Sequence, residues 1–163
     1  MYKRQVGQFV DGTFFFTAQA AQNEAVFSIG PRDLIIDLPF RIQGLVDNGC
    51  AAVYSTKRPW FRFVPVMDGA AYFQEPILPE NDLWVGNIFV CDDPSVKFTV
   101  VVDGQAPGKP PFMEVHNPTG KIIETRIWSP PHTPFFGGIS AAVKLPAGDS
   151  LFFTINGKQL VPK

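Results

Sequence analysis

The chain has 163 residues, of which 45% are hydrophobic and 18% charged. That balance excludes a disordered tail, and no run reaches the ~18 apolar residues of a helical membrane span. Lys and Arg number 14 against 15 Asp and Glu, a formal charge of −1, and no basic stripe offers the electrostatic footprint of a nucleic-acid binder.

Taken in chain order, the first residues, Met1-Tyr2-Lys3-Arg4-Gln5, resemble the translated scar of a sequencing adapter. The expectation is that 1–5 are not native, that a single domain occupies 6–163, and that native sequence continues upstream. Residues 13–17 and 25–29 read as strands, with 18–25 a loop or single turn too short for an isolated helix. Segments 40–46 and 50–56 flank Asp47-Asn48-Gly49, read as a three-residue hairpin loop. Segment 60–66 alternates around Arg62 with Phe63 inward, and Asp68-Gly69 turns the chain into 70–74.

Strands at 83–91 and 96–103 follow, separated by Asp92-Asp93-Pro94. The Pro- and Gly-rich stretch 103–111 is the long loop, with the one domain-boundary candidate near 104–111. Strands 112–116 and 121–128 flank Asn117-Pro118-Thr119-Gly120. Segment 139–145 alternates with Ile139, Ala141, Val143 and Leu145 on one face. A Pro-Ala-Gly-Asp turn at 146–149 leads to a strand over 150–155. Asn156-Gly157 then reads as a type I′ turn into 158–161, closing a three-stranded meander. The pattern predicts an all-β, antiparallel, jelly-roll-like sandwich of roughly 10 to 13 short strands without substantial helix. Its inward side chains are Phe63, Phe98, Val100, Ile139 and Val143, and most of the 16 Phe, which lack a polar handle, belong to the core.

Catalytic ingredients are sparse. Cys50 and Cys91 either close a disulfide or sit as buried thiols, and a core of this size needs no staple. A metal site could be assembled from Glu114, His116, His132 and Asp149, but no compact His spacing appears, so neither metal nor cofactor is expected. The 146–149 turn is similar to that of cupins, whose clustered histidines are absent here. With no nucleophile elbow, P-loop or dinucleotide fingerprint, the chain reads as a non-enzyme without catalytic residues. Recognition by exposed rings on stiff loops is the remaining chemistry. Trp84 reads as core, and the candidate binding residues are Trp60, Arg58, Tyr72, Trp128 and His132. The candidate loops are 57–60, 75–82 and 129–134, whose prolines cut the entropy lost on binding.

Two resemblances add a setting. Residues 112–124, Phe112-Met113-Glu114-Val115-His116-Asn117-Pro118-Thr119-Gly120-Lys121-Ile122-Ile123-Glu124, are similar to a hairpin of small β-rich bacteriophage tail-associated proteins. There a Gly-Leu-x-Val-x-Asn strand enters a Gly turn and leaves as a Phe-Asp-Ser strand. Phe112-Met113 replaces Gly-Leu here, and Glu124-Thr125-Arg126 replaces the Asp-Ser segment. Leu145-Pro146-Ala147-Gly148-Asp149-Ser150-Leu151-Phe152 is similar to the turn of tumour-necrosis-factor-like and complement jelly rolls, which trimerise. These resemblances imply a non-catalytic virion or tail-associated structural or receptor-binding protein, located in the virion. Its implied partners are further copies of itself, other virion proteins or a cell-surface glycan, with neither nucleic-acid binding nor membrane insertion. The alternative is a secreted bacterial carbohydrate- or receptor-binding sandwich module, located outside the cell.

Overall fold

The structure, a computed structural model, describes residues 6–10, 13–28, 39–47, 51–56, 61–76, 82–101 and 112–163. Residues 1–5, and the boundary candidate near 104–111, lie outside them. Among the described residues there are sixteen strands and no helix, so the all-β sandwich expected from the turn rhythm is what forms. The chain clusters into two compact units, Met1–Asp47 with Ala51–Gly86, and Asn48–Cys50 with Asn87–Lys163.

The first unit holds β1 (Val6–Val10), β2 (Thr13–Gln19), β3 (Glu24–Ser28), β4 (Pro39–Gln43), β5 (Ala51–Ser55), β6 (Arg62–Val64), β7 (Val66–Met67), β8 (Ala70–Gln74) and β9 (Asp82–Asn87). They form two sheets, ordered β1-β2-β4-β8-β7 and β3-β9-β5-β6. One core fills the space between, with Ala18, Phe40, Ile42 and Phe73 from the first sheet against Phe27, Val53, Leu83 and Val85 from the second. Phe40 anchors it, stacking on Phe73 at 5.2 Å between centroids and meeting Phe27 at 5.5 Å, contacts worth about 0.5–1.5 kcal/mol each beyond burial. Trp84 is core, as expected, and its indole N–H donates to the buried Glu24 carboxylate at 2.9 Å.

Several local readings need correction. The predicted 40–46/50–56 hairpin does not form, because β4 and β5 lie in different sheets; its Asn48 and Gly49 fall outside the described residues. β2 and β4 pair in parallel, because β3 crosses to the other sheet between them and the chain returns in the same direction. The predicted strand over 60–66 breaks at Pro65, which has no N–H for a ladder, and its halves, β6 and β7, join different sheets. Phe63 faces solvent, 48% exposed. The buried Glu75 requires a cation, and Arg62 meets it at 3.1 Å, which puts Arg62 and Val64 on one face and Phe63 on the other. Between β2 and β3, Gln22 and Asn23 both have positive φ, 51° and 64°, and Ala21 and Glu24 exchange backbone hydrogen bonds. That is a type I′ turn made without glycine.

The second unit holds β10 (Val90–Cys91), β11 (Lys97–Val101), β12 (Phe112–His116), β13 (Ile123–Trp128), β14 (Ser140–Leu145), β15 (Ser150–Asn156) and β16 (Gln159–Pro162). Its sheets are ordered β10-β13-β14 and β11-β12-β15-β16. Ile123, Ile127 and Leu145 are buried on the first, and Phe98, Val100, Met113, Val115, Phe153 and Ile155 on the second. Ile139 is buried as expected, and Val143 is half-buried. The expected 83–91 strand is split at Ile88-Phe89 into β9 and β10. This break and the one at Pro65 help raise the count above the expected 10 to 13.

Two expected pairings fail here for a common reason. β12 and β13 belong to different sheets, and so do β14 and β15, so 112–124 is not a hairpin and the C-terminal meander is only β15 with β16. The turns at 117–122 and 146–149 are arches that carry the chain from sheet to sheet. Asn117 bolts the two arches together. Its Nδ2 donates to the carbonyls of Lys121 at 2.7 Å, Pro146 at 2.8 Å and Leu145 at 3.3 Å. Its Oδ1 accepts from the Thr119 N–H and hydroxyl at 3.0 and 2.7 Å.

The last hairpin also differs from its reading. Asn156 ends β15 opposite Gln159, so the turn residues are Gly157 and Lys158, with positive φ, 58°, at Gly157 and not at Lys158. This is the φ pattern of a type II′ turn rather than I′. A Cβ at Gly157 would meet nothing within 4 Å, so the cost of Gly157→Val is conformational alone. Denaturant unfolding should show a loss of about 1 kcal/mol or more, and an unchanged midpoint would contradict the assignment.

Candidate functional site

β13 and β14 pair from Ile123 opposite Leu145 to Trp128 opposite Ser140. Alternation buries Ile123, Ile127 and Leu145 and turns Glu124, Arg126, Trp128, Ser140, Ala142 and Lys144 outward. The loop between the strands, 129–139, is closed at its base, where the Ser129 N–H donates to the Ile139 carbonyl at 2.8 Å. Inside it, Thr133 N–H donates to Pro130 O at 3.1 Å, Gly137 N–H to Thr133 O at 2.9 Å, and Ile139 N–H to Phe136 O at 3.1 Å. Lys158 Nζ adds a bond of 2.7 Å to the Gly137 carbonyl. The loop is therefore a tied structure rather than a slack connection.

Phe136 is buried and stacks on Phe89 at 5.8 Å between centroids. Its neighbour Phe135 does the opposite, standing 62% exposed. The Phe136 N–H donates back to the Pro134 carbonyl at 2.9 Å, with Phe135 between them at φ 67°. This is the γ-turn of positive central φ, the rarer and strained form. An aromatic residue in that region is a true outlier, costing on the order of 1–3 kcal/mol. The same loop buries the hydroxyls of Ser129 and Thr133 without a hydrogen-bond partner among the described residues, a further local cost.

At the base of the loop, Asp92 fastens the sheet face. Its carboxylate accepts from Arg126 Nε at 2.9 Å and Nη2 at 3.4 Å, and from the Trp128 indole N–H at 2.8 Å. The guanidinium also lies 5.9 Å from the Trp128 ring centroid, a cation–π distance. The Arg126 hydrogen bond is the main reason the Asp92 carboxyl is held below the usual carboxylate range; partial desolvation opposes it and the Trp128 bond reinforces it. One rung further, Lys144 and Glu124 pair at 2.8 Å. Their hydrogen bond lowers the Glu124 carboxyl and raises the Lys144 ammonium. Between these pairs lies a shallow depression of about 490 Å³, lined by Glu124, Thr125, Arg126, Ala142, Val143 and Lys144.

Of the residues singled out from sequence, this hairpin brings together Trp128, half-buried at the base, and His132, exposed on the loop. Tyr72 lies in the other unit, on β8, where its hydroxyl accepts from Arg41 Nε at 3.1 Å. Trp60 and Arg58 fall outside the described residues. Sequence reasoning passed over Phe135, Arg126 and Asp92. The one signal for Phe135 was the run Phe135-Phe136-Gly137-Gly138 directly after a proline-stiffened loop, since a core needs one of two adjacent rings and not both.

The residues weighed for a metal site make specific contacts of their own. The Ser150 hydroxyl donates to Glu114 Oε1 at 3.0 Å, and His116 Nδ1 lies 3.1 Å from the Ser150 hydroxyl oxygen. With the serine proton directed at Glu114, the contact suits an Nδ1–H donor on His116. Asp149 Oδ1 accepts from the Ser150 N–H at 2.8 Å. Among the described residues no three His, Cys, Asp or Glu side chains converge as a metal site would require. Cys91 is a buried free thiol 3.5 Å from the Thr125 hydroxyl, and Cys50 lies outside the described residues.

Comparison of the chain with protein-family models, with curated proteins and with solved structures finds no match.

Proposed function

We propose that this is a non-catalytic, virion- or tail-associated receptor-binding protein that makes its contact through the tip of the β13–β14 hairpin, with Phe135 as the anchor. The observation that carries this reading is the pairing of a strained backbone with an exposed ring. Glycine at 135 would relieve the strain and give up an edge contact with the Phe136 ring, 6.4 Å between centroids. A loop already tied by internal hydrogen bonds loses little entropy on binding, and an aromatic side chain is the commonest dominant contact in protein recognition. The virion setting comes from the sequence resemblance. Assembly with further copies or other virion proteins belongs to the same reading. Phe112, Phe152 and Val161, exposed on the outer face of the β11-β12-β15-β16 sheet, are the side chains such assembly would cover.

Binding to whole bacterial cells, with purified fluorescent protein, tests the proposal. Phe135→Ala should weaken attachment by about 30-fold, the equivalent of about 2 kcal/mol for a dominant contact. Phe135→Gly should lose attachment equally while remaining at least as stable as the parent, because glycine accepts the left-handed conformation without strain. Attachment untouched by both substitutions overturns the role of the tip. Assembly onto other virion proteins without any attachment to cells leaves a purely structural role in its place.

A further inference from the structure

We infer that the depression over Ala142 is a subsite for a neutral oligosaccharide. The inference names a ligand class for the receptor-binding role proposed above and rests on that reading. The register sets the geometry: Ala142 stands opposite Arg126, Lys144 opposite Glu124, and Ser140 opposite Trp128. A methyl group among long side chains leaves the gap, a shallow, open depression of about 490 Å³ that can seat one face of a sugar ring while the other stays in water.

Charge decides the class of ligand. Arg126 is balanced by Asp92 and Lys144 by Glu124, so the face has no net charge to offer an ion. An anion entering the gap meets Glu124, and a cation meets Lys144 and Arg126. A hydroxyl suits it better, because it donates to the Glu124 carboxylate and accepts from the Lys144 ammonium with the same oxygen. The hydrogen bonds within the pairs favour the charged forms, holding the Asp92 and Glu124 carboxyls below their usual range and the Lys144 ammonium above it.

The apolar half of a sugar ring is also provided for. The Ala142 methyl and the aliphatic stems of Arg126 and Lys144 supply surface for C–H contact. Asp92 fixes Arg126 through Nε and Nη2, leaving Nη1 without a protein acceptor among the described residues and therefore available to ring hydroxyls. The loop 129–139 continues directly from Trp128 and Ser140.

The test is saturation-transfer NMR of the full chain with a panel of neutral tri- to pentasaccharides built from glucose, galactose, mannose and N-acetylglucosamine, alongside sialylated and sulfated counterparts. At least one neutral member should bind. Ala142→Tyr, at an exposed strand position that tolerates aromatic side chains, should fill the gap and weaken binding by about tenfold or more without changing the circular dichroism. Binding of anionic members alone, or neutral binding indifferent to Ala142→Tyr, overturns the inference. If no saccharide binds while cells are still captured through Phe135, the subsite fails and the receptor-binding reading stands. If saccharide binding is lost in Ala142→Tyr yet no cell is captured, the subsite stands and the receptor-binding reading fails.

Discussion

Asn117→Ala is expected to lower the unfolding free energy by about 3–5 kcal/mol, enough to leave a typical domain barely folded. The side chain is fully buried and has every donor and acceptor occupied. Removing it takes the donor from the buried Leu145 carbonyl and the part-buried Pro146 carbonyl, and leaves the part-buried Thr119 amide without its acceptor. Each buried group so stranded costs about 1–3 kcal/mol. Asn117→Asp should do no better, because it keeps the acceptor for Thr119 but turns a second oxygen, now charged, toward three carbonyls. Urea unfolding measures both, and a loss below about 1 kcal/mol for Asn117→Ala would show that water replaces the amide readily.

Gly137→Ala carries the second large expectation, on stability and recognition together. A Cβ there would run into the Pro131 carbonyl oxygen and come within 3.0 Å of the Thr133 carbonyl. Both are backbone atoms of the same tied loop, so neither can swing aside as a side-chain tip would. The loop must open, giving up the Gly137 to Thr133 bond and the seat of Phe136 against Phe89. A loss of about 2–4 kcal/mol is expected, with cell attachment falling as far as in Phe135→Ala although the ring itself is intact. Heat denaturation and the attachment assay read the two effects. Full attachment in a folded Gly137→Ala protein would mean that Phe135 works without its rigid mount.

The sequence carried the positions of turns far better than their meaning. Asp68-Gly69 is a hairpin turn with positive φ at both residues, as read. Asn117-Pro118-Thr119-Gly120 and Pro146-Ala147-Gly148-Asp149 have the same chemistry and yet are arches. Turn residues report that the backbone reverses; which sheet receives the next strand depends on a core that only the folded chain assembles. Phe63 was misplaced for a related reason, since Val64 enters the core and Arg62 pairs with the buried Glu75 on the face of the strand opposite Phe63. Ile139 to Leu145 was legible because its alternation answers to a core on one side and water on the other. Of the site, Trp128 and His132 were visible as polar-tipped rings near prolines. Phe135 was hidden because nothing in its neighbours' identities forces a γ-turn; the bonds from the Phe136 N–H to the Pro134 carbonyl and from the Gly137 N–H to the Thr133 carbonyl hold it together.

The arches also set the order in which the second unit can fold. β13 with β14, and β15 with β16, close over short or moderate loops and can form early. β12 reaches β15 only after the whole segment from Asn117 to Asp149 has been gathered in, pairing Phe112 with Thr154 and His116 with Ser150. Closing that loop is a large entropic step taken before any ladder rewards it, which makes it the slow one. Until it is taken, β12 and β15 present open edges bearing Phe112, Met113, Phe152 and Phe153. While those edges are open the chain is exposed to strand pairing between molecules, and the Asn117 amide, which bonds both arches, is one of the contacts that hold them closed.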